Sequence, residues 1–145
     1  MQHNALEYAF EHEFQIANTR TRIIASVIDF CIFCVIAAIF GYFFGKPAEG
    51  IGFALYGTPA LIIMLIGFFL WPISEGIWGQ TLGKRILGIK VLTDYYEPID
   101  ITASITRYIL GCIDYILLIG IIVAATNKMN KRIGDMAANT IVVQL

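Results

Sequence analysis

The stretch Thr21–Phe40, TRIIASVIDFCIFCVIAAIF, decides the fold class of this chain. It lies in a longer apolar block, Ile23–Phe44, whose 22 residues include one charged side chain, Asp29. A helix needs about 20 predominantly apolar residues to cross the hydrocarbon core of a bilayer. The block is therefore long enough to form a transmembrane helix, and the role of a carboxylate inside it has to be explained.

Two further apolar segments follow the first. Residues 51–77 begin with an uncharged run from Ile51 to Ile73, and residues 101–126 carry Arg107 and Asp114. Over the whole chain 58% of residues are hydrophobic and 14% are charged, whereas soluble domains have about 25% charged residues. The sequence predicts an all-α membrane protein, built as a single domain over residues 1–145 with an amphipathic lead-in at residues 1–20.

Basic residues set the predicted orientation. Arg20 and Arg22 precede the first block, and Lys84, Arg85 and Lys90 follow the second, while the intervening loop GKPAEG holds one Lys and one Glu. Because Lys and Arg concentrate in cytoplasmic flanks, we expect a cytoplasmic N-terminus. Lys84 and Arg85, in the interfacial turn GQTLGKR, and Lys90, shortly after it, are expected to contact lipid head groups.

The third segment either crosses the membrane or re-enters it. The segments GIKVLT and NTIVVQL, on either side of it, are rich in β-branched residues and predict short strands. If they pair, both lie on one side of the membrane, and two full crossings between them would need about 40 residues. The sequence therefore favours two full transmembrane helices, a broken or re-entrant third segment hinged near Gly111 or Gly120, and a small cytoplasmic β-element.

An internal repeat relates the first and third segments. TRIIASVIDF, which starts at Thr21, is echoed by TRYILGCIDY in the third segment, with five of ten positions identical. Each copy places an Arg seven residues before an Asp, which is close to two helical turns. Arg22 and Asp29 therefore share one helix face, and so do Arg107 and Asp114.

The charges of the repeat need partners from other parts of the protein. A central Asp or Arg costs roughly 2.5–3.5 kcal/mol to insert, and seven residues span about 10 Å of helix rise, too far for direct pairing. We expect Asp29 and Asp114 to lie at similar depth as a coupled pair, or to be held by an arginine, Arg132 included. Glu75 could cap a helix, pair with Arg85 or join the Asp29 site, and ordinary pairing is favoured.

Several function classes find no support in the sequence. The net charge of −1 gives no general basicity for nucleic acid. Cys31 and Cys34 form a C-x-x-C inside the first apolar block without a second ligand pair, so they are interpreted as small apolar residues. No paired-carboxylate, HExxH or nucleophile–histidine spacing occurs. We predict a protein that is not an enzyme and has no cofactor and no metal site.

The motifs of the chain resemble those of the RDD family of small bacterial membrane proteins, named for one arginine and two aspartates. The similarity rests on Arg22 and Asp29 in IANTRTRIIASVID, on GQTLGKRILGIKV from Gly79 to Val91, and on KRIGDMAANTIVV near the end. The second family aspartate is either Asp135 or Asp114, and Asn139 stands where the family motif usually has Gly. The resemblance implies a multi-pass location in the bacterial inner (plasma) membrane, with members proposed as cation/proton antiporters and others that assemble membrane complexes.

The residues and the resemblance together predict a buried Arg/Asp site, made by Arg22, Asp29, Arg107, Asp114 and Asp135. The leading hypothesis is an oligomeric component of a proton- or Na⁺-coupled transporter. The alternative is a membrane adaptor or assembly factor in which the site is structural. The partners we expect are membrane lipids, H⁺ or Na⁺, and copies of this chain or a larger membrane complex, but no nucleic acid.

Overall fold

The computed structural model describes the backbone of residues 14–48, 50, 52–117 and 131–145, with the side chains of these residues except 112–117. The first helix, α1, spans Thr19–Phe44. It begins where it does because the Asn18 side chain accepts a hydrogen bond from the Arg20 backbone N–H at 3.2 Å, which satisfies one of the unpaired donors of the first turn.

Two helices, α1 and Thr58–Trp78, are long and apolar enough to cross a membrane. Within the most apolar window of α1, 11% of residues are buried by the rest of the chain. Val27, Phe30, Val35 and Ile39 are all more than half exposed. A face this apolar and this uncovered is typical of a surface that contacts lipid or another protein. The fold therefore agrees with the predicted first two spans and supports a membrane protein.

The second span consists of three consecutive helical pieces. Helix α2 covers Thr58–Phe68, a π-helical turn covers Phe69–Ile73, and helix α3 covers Ser74–Trp78. Pro72 lies in the π-helical turn and has no N–H to donate. The Ser74 hydroxyl donates to the Leu70 carbonyl at 2.5 Å, so one backbone acceptor that the irregular turn exposes is satisfied.

A small sheet lies at one end of the helices. Strand β3, Ile89–Thr93, pairs antiparallel with β4, Thr140–Gln144, and Val91 faces Val142. On the other side of β4, the Ala17 N–H donates to the Val142 carbonyl at 2.9 Å. The predicted strand pairing is confirmed, and the end of the lead-in joins the same sheet. We call this end of the molecule the sheet end.

The described part of the lead-in joins the sheet. Residues 15–17 are extended and hydrogen-bonded to β4, and Phe14 stacks on Tyr96 with ring centroids 5.8 Å apart. The amphipathic contact of residues 1–20 with the membrane surface stays a prediction. Residues 1–13, which carry most of that prediction, lie outside the described residues.

A second pair of strands was not predicted. Strand β1, Lys46–Pro47, pairs with β2, Phe53–Ala54, in the connection between the two spans. The Phe53 ring lies against Gly41 so closely that a Cβ there would come within 2.0 Å of it. The glycine therefore allows the hairpin to fold back on the far end of α1.

The described parts of the chain before and after residues 118–130 both contact the sheet end. Helix α4, Leu82–Ile86, precedes β3; helix α5, Ile101–Leu117, follows it, and helix α6, Ile133–Ala137, leads into β4. A Cβ on Gly134 would lie 3.0 Å from the Arg107 carbonyl, so α6 packs directly on α5. Helix α5 is continuous through Gly111, so the hinge predicted there is wrong, and Gly120 lies outside the described residues.

Candidate functional site

Five ionisable side chains form a continuous set of buried ion pairs, here called the charge network. Arg22 donates to Asp135 Oδ2, and Arg107 Nη1 lies 2.8 Å from Asp135 Oδ1. Arg107 Nε donates to Glu75 Oε1 at 2.8 Å, and Lys84 Nζ donates to Glu75 Oε2. None of these side chains is more than 13% exposed. Basic and acidic groups therefore alternate along the network.

Asp135 is held in place by the start of α6. Its side chain accepts a hydrogen bond from the Arg132 backbone N–H at 3.0 Å, which caps the first turn of the helix. Thr140, at the start of β4, accepts a hydrogen bond from Arg107 Nη1 at 2.5 Å and donates to the Asp135 carbonyl at 3.3 Å. The short helix and the sheet thus fix the carboxylate between the two arginines.

Asp29 has different partners and lies beside the charge network. Its Oδ2 accepts the Thr81 hydroxyl at 2.5 Å, and its Oδ1 accepts the Gly83 N–H at 2.6 Å. A Cβ on Gly83 would come within 2.1 Å of the Ala25 carbonyl, so only glycine permits this approach. The carboxylate inside the first apolar block therefore anchors α4 against α1.

Burial and neighbouring charges shift two pKa values outside the spans. Burial lowers the pKa of Lys84 well below its usual value, and the nearby Arg107 and Arg22 lower it further. For Asp135, burial acts to raise the pKa, but Arg107 and Arg22 outweigh it and hold the pKa below its usual value. Asp135 is consequently ionised at neutral pH, whereas the charged form of Lys84 is disfavoured.

A cavity of about 500 Å³ opens beside these groups between α1 and α5. Its apolar wall includes Val27 and Phe30 of α1, together with Trp71 and Tyr108. Trp71 stacks on Tyr108 with centroids 6.3 Å apart and contacts the Phe33 ring at 5.0 Å. The charged part of the lining consists of four basic and three acidic side chains: Arg22, Lys84, Arg107, Arg132, Asp29, Glu75 and Asp135.

The structure brings together three of the five predicted site residues. Arg22, Arg107 and Asp135 meet directly, and Asp29 lines the same cavity without an ion pair to any described residue. An arginine partner for Asp29 was one of the expected alternatives, and the described side chains provide none. The side chain of Asp114, and with it the expected coupled pair of aspartates, lies outside the described residues.

Glu75 is the residue that the sequence analysis undervalued. Pairing with Arg85 was among its predicted roles, but Arg85 is exposed and Glu75 binds Lys84 and Arg107 instead. It is the single acidic residue of segment 51–77. The free-energy cost of inserting a charge into the membrane, which drew attention to Asp29, applies to Glu75 as well. The same argument would have identified Glu75 as a site residue.

Lys84 does not lie where a lipid head-group contact was expected. Its ammonium turns inward to Glu75, because the short helix α4 presents it to the charge network. Arg85 is exposed and Lys90 is half-buried, so the expected contact with head groups remains a prediction for these two.

The GQTLGKR motif is explained residue by residue. Gly79 ends α3 at a φ of +70°, and the Gln80 side chain donates to the Ile89 carbonyl at 2.9 Å. Thr81, Gly83 and Lys84 bind Asp29 and Glu75 as described above.

The Asn at position 139 of the C-terminal motif has a φ of +50°, in the left-handed region where Gly is preferred and Asn is among the best tolerated alternatives. Asn139 can therefore fill the usual glycine position.

Comparisons with known proteins place these motifs in a family. A family model described as "RDD family" matches residues 16–139. An "Uncharacterized protein" of Haemophilus influenzae is 30% identical over 102 residues, which are 66% of this chain and 64% of that relative. The matched region therefore spans less than two thirds of the relative's length. No solved structure matches the chain.

Proposed function

The chain belongs to the RDD family, and from this membership and the charge network we propose that it is a multi-pass protein of the bacterial inner membrane whose buried Arg/Asp site is structural. In this proposal the network is a clasp, and the protein acts as a membrane adaptor or assembly factor. We propose that the protein catalyses no reaction and binds no cofactor or metal. The N-terminus and the sheet end lie in the cytoplasm.

One observation carries the clasp: every carboxylate oxygen of the three acidic residues that line the cavity already has a hydrogen-bond or ion-pair partner. The six oxygens of Asp29, Glu75 and Asp135 are bonded to Thr81, Gly83, Lys84, Arg22, Arg107 and the Arg132 backbone. A Na⁺ ion needs several oxygen ligands, and binding it here would break these contacts. Buried ion pairs with complete hydrogen bonding hold elements together, whereas an unpaired buried charge is costly.

The clasp also connects the described helices that meet at the sheet end. Arg22 belongs to α1, Glu75 to α3, Lys84 to α4, Arg107 to α5 and Asp135 to α6. The network therefore fixes the third segment against the first two spans. The exposed apolar faces of α1 and α2 remain available to lipid, to a second copy of the chain or to a larger membrane complex.

The orientation can be tested by cysteine labelling in a variant without native cysteines. We expect Lys46→Cys, in the exposed β1–β2 hairpin, to react with an impermeant thiol reagent in spheroplasts. A cysteine added after Leu145 should react only after the membrane is permeabilised. Labelling of both sites in intact spheroplasts would contradict the proposed location of the sheet end, and recovery of the protein in the soluble fraction would contradict the membrane location itself.

The structural role can be tested by two measurements on the solubilised full chain. We expect the same thermal unfolding midpoint in Na⁺ and in K⁺ at equal ionic strength, and we expect a larger membrane complex to co-purify at native expression level. A midpoint that rises with Na⁺ concentration at constant ionic strength would contradict the clasp, because a cation that binds only the folded state stabilises it further as the cation concentration increases.

A second candidate is the oligomeric proton-coupled transporter component, and one observation favours it. Lys84 lies in a cavity of about 500 Å³ beside Glu75, with a lowered pKa, so its ammonium gives up a proton more readily than that of an exposed lysine. Reconstituted wild-type protein should then carry protons across liposomes, and Lys84→Met should abolish the flux while Arg85→Met, on the exposed side of α4, retains it. Absence of flux in the wild-type protein would favour the adaptor.

A further inference from the structure

The cavity between α1 and α5 offers two chemically different surfaces to one ligand. Arg22, Lys84 and Arg107 lie on its polar side, and Val27 and Phe30 lie on its apolar side. Its volume of about 500 Å³ falls in the range of roughly 300–1,000 Å³ that is typical of small-molecule sites. A ligand that used both surfaces would have a charged head and an apolar tail.

The charges of the lining select an anionic head. With Lys84 charged, the four basic side chains of the lining leave one positive charge in excess of the three acidic ones. The carboxylate oxygens are already bonded, so an added cation finds no free carboxylate in the lining, whereas a phosphate adds a counter-charge beside guanidinium groups, whose planar fork of N–H donors matches it. An anion would also favour the charged form of Lys84, which burial and the two arginines disfavour.

The apolar wall of the cavity continues onto the uncovered face of α1. Val27 is 55% exposed and Phe30 is 59% exposed, and both also line the cavity. In a bilayer this face meets acyl chains. A ligand in the cavity can therefore keep its tail among the lipids while its head reaches the basic side chains.

We propose that this cavity binds an anionic phospholipid, with the phosphate among the basic side chains and the start of one acyl chain along Val27 and Phe30. Basic pockets between membrane helices on the cytoplasmic side bind anionic head groups. The inference rests on the proposed membrane location but does not depend on whether the protein is an adaptor or a transporter component. Failure of lipid binding in a protein that fractionates with membranes would overturn this inference alone.

The test uses the full chain in detergent, titrated with phosphatidylglycerol, with phosphatidylcholine of the same acyl chains, or with inorganic phosphate. We expect native mass spectrometry to show one phosphatidylglycerol molecule bound to the protein. The thermal unfolding midpoint of the protein should rise with the concentration of that lipid. Phosphatidylcholine should bind at least about tenfold more weakly, equivalent to about 1.4 kcal/mol. Inorganic phosphate alone should leave the midpoint unchanged.

Two matched variants place the site. Val27→Trp adds bulk to the cavity wall, whereas Val35→Trp adds the same bulk on the same helix at a position that is 60% exposed and outside the lining. We expect Val27→Trp to weaken phosphatidylglycerol binding about tenfold or more, while Val35→Trp binds as the wild type does. Equal binding of the two lipids, equal stabilisation by free phosphate, or equal effects of the two variants would each overturn the proposal.

Discussion

The two copies of the repeated segment share an arginine that binds Asp135, but the two arginines differ in the other side chains that they bind. Arg22 on α1 and Arg107 on α5 bind opposite oxygens of the same carboxylate, Asp135. Arg107 also binds Glu75 and Thr140, whereas Asp135 is the ion-pair partner described for Arg22. Among the ion pairs of the described residues, the second copy therefore makes more connections within the charge network than the first. The similar sequences give both helices an arginine that binds Asp135. The neighbouring elements then determine how many further side chains each arginine binds.

The carboxylate shared by both copies should be the most sensitive position. Asp135→Asn leaves Arg22 and Arg107 buried without their common counter-charge, and we expect a loss of about 3–5 kcal/mol in the free energy of unfolding. Denaturant titration in detergent micelles measures it. Asp94→Asn is the matched control, because its pair with Lys131 is partly exposed and should contribute about 1 kcal/mol or less. Equal losses for the two variants would show that burial of the network is not what stabilises it.

The difference between the two arginines can be measured directly. Arg107→Met strands Glu75 and Asp135, so we expect a loss of about 3–5 kcal/mol. Arg22→Met leaves Asp135 paired with Arg107, and we expect roughly half that loss. Arg20→Met, two residues earlier and exposed, should change the stability by less than about 0.5 kcal/mol. A larger effect at Arg22 than at Arg107 would contradict the assignment of more connections to the second copy.

Acid should weaken the ion pairs of Asp135, the carboxylate that the two copies share. Because the folded-state pKa of Asp135 lies below its unfolded value of 3.8, its contribution is fully present above about pH 4–5 and is lost as the pH falls toward the folded-state pKa. We expect the wild type to lose on the order of 2 kcal/mol more than Asp135→Asn between pH 5 and pH 2. Parallel pH profiles of the two proteins would contradict this role.

Removing the charge of the first copy's aspartate should have the smallest effect. Asp29 has no ion pair among the described residues, and Asn can still accept the Gly83 N–H while its amide donates to the Thr81 hydroxyl. We expect Asp29→Asn to cost about 1 kcal/mol, as for one altered hydrogen bond. A loss above about 3 kcal/mol would indicate a cation that depends on this carboxylate.

Sequence reasoning identified the features that short-range patterns determine. The two spans follow from uninterrupted apolar runs, and the β3–β4 pairing follows from two β-branched segments on either side of the third block. Arg22 and Arg107 were singled out because charges in apolar surroundings need partners, and these inferences depend on composition and spacing, which a single sequence displays. Asp135 was identified by the resemblance of KRIGDMAANTIVV to the family motif.

The partners of those charges could not be predicted, because they are set by packing between distant segments. Thr81 and Gly83 reach Asp29 across more than 50 residues of sequence, and nothing in GQTLGKR shows which face of so short a helix turns inward. For this reason Lys84 was assigned to the membrane surface. The β1–β2 hairpin was missed because its strands are two residues long and carry no recognisable alternation.

The order of the network along the chain has a consequence for its assembly. Asp135 lies 113 residues after Arg22, so at a synthesis rate of about 5–20 residues per second the arginine is made roughly 6–23 s before its counter-charge. During that interval α1 has entered the membrane with an uncompensated cation. Arg22 lies in the first turn of α1, where its long side chain can extend to the water interface until the carboxylate arrives. Its place at the helix start thus suits the nascent chain as well as the folded protein.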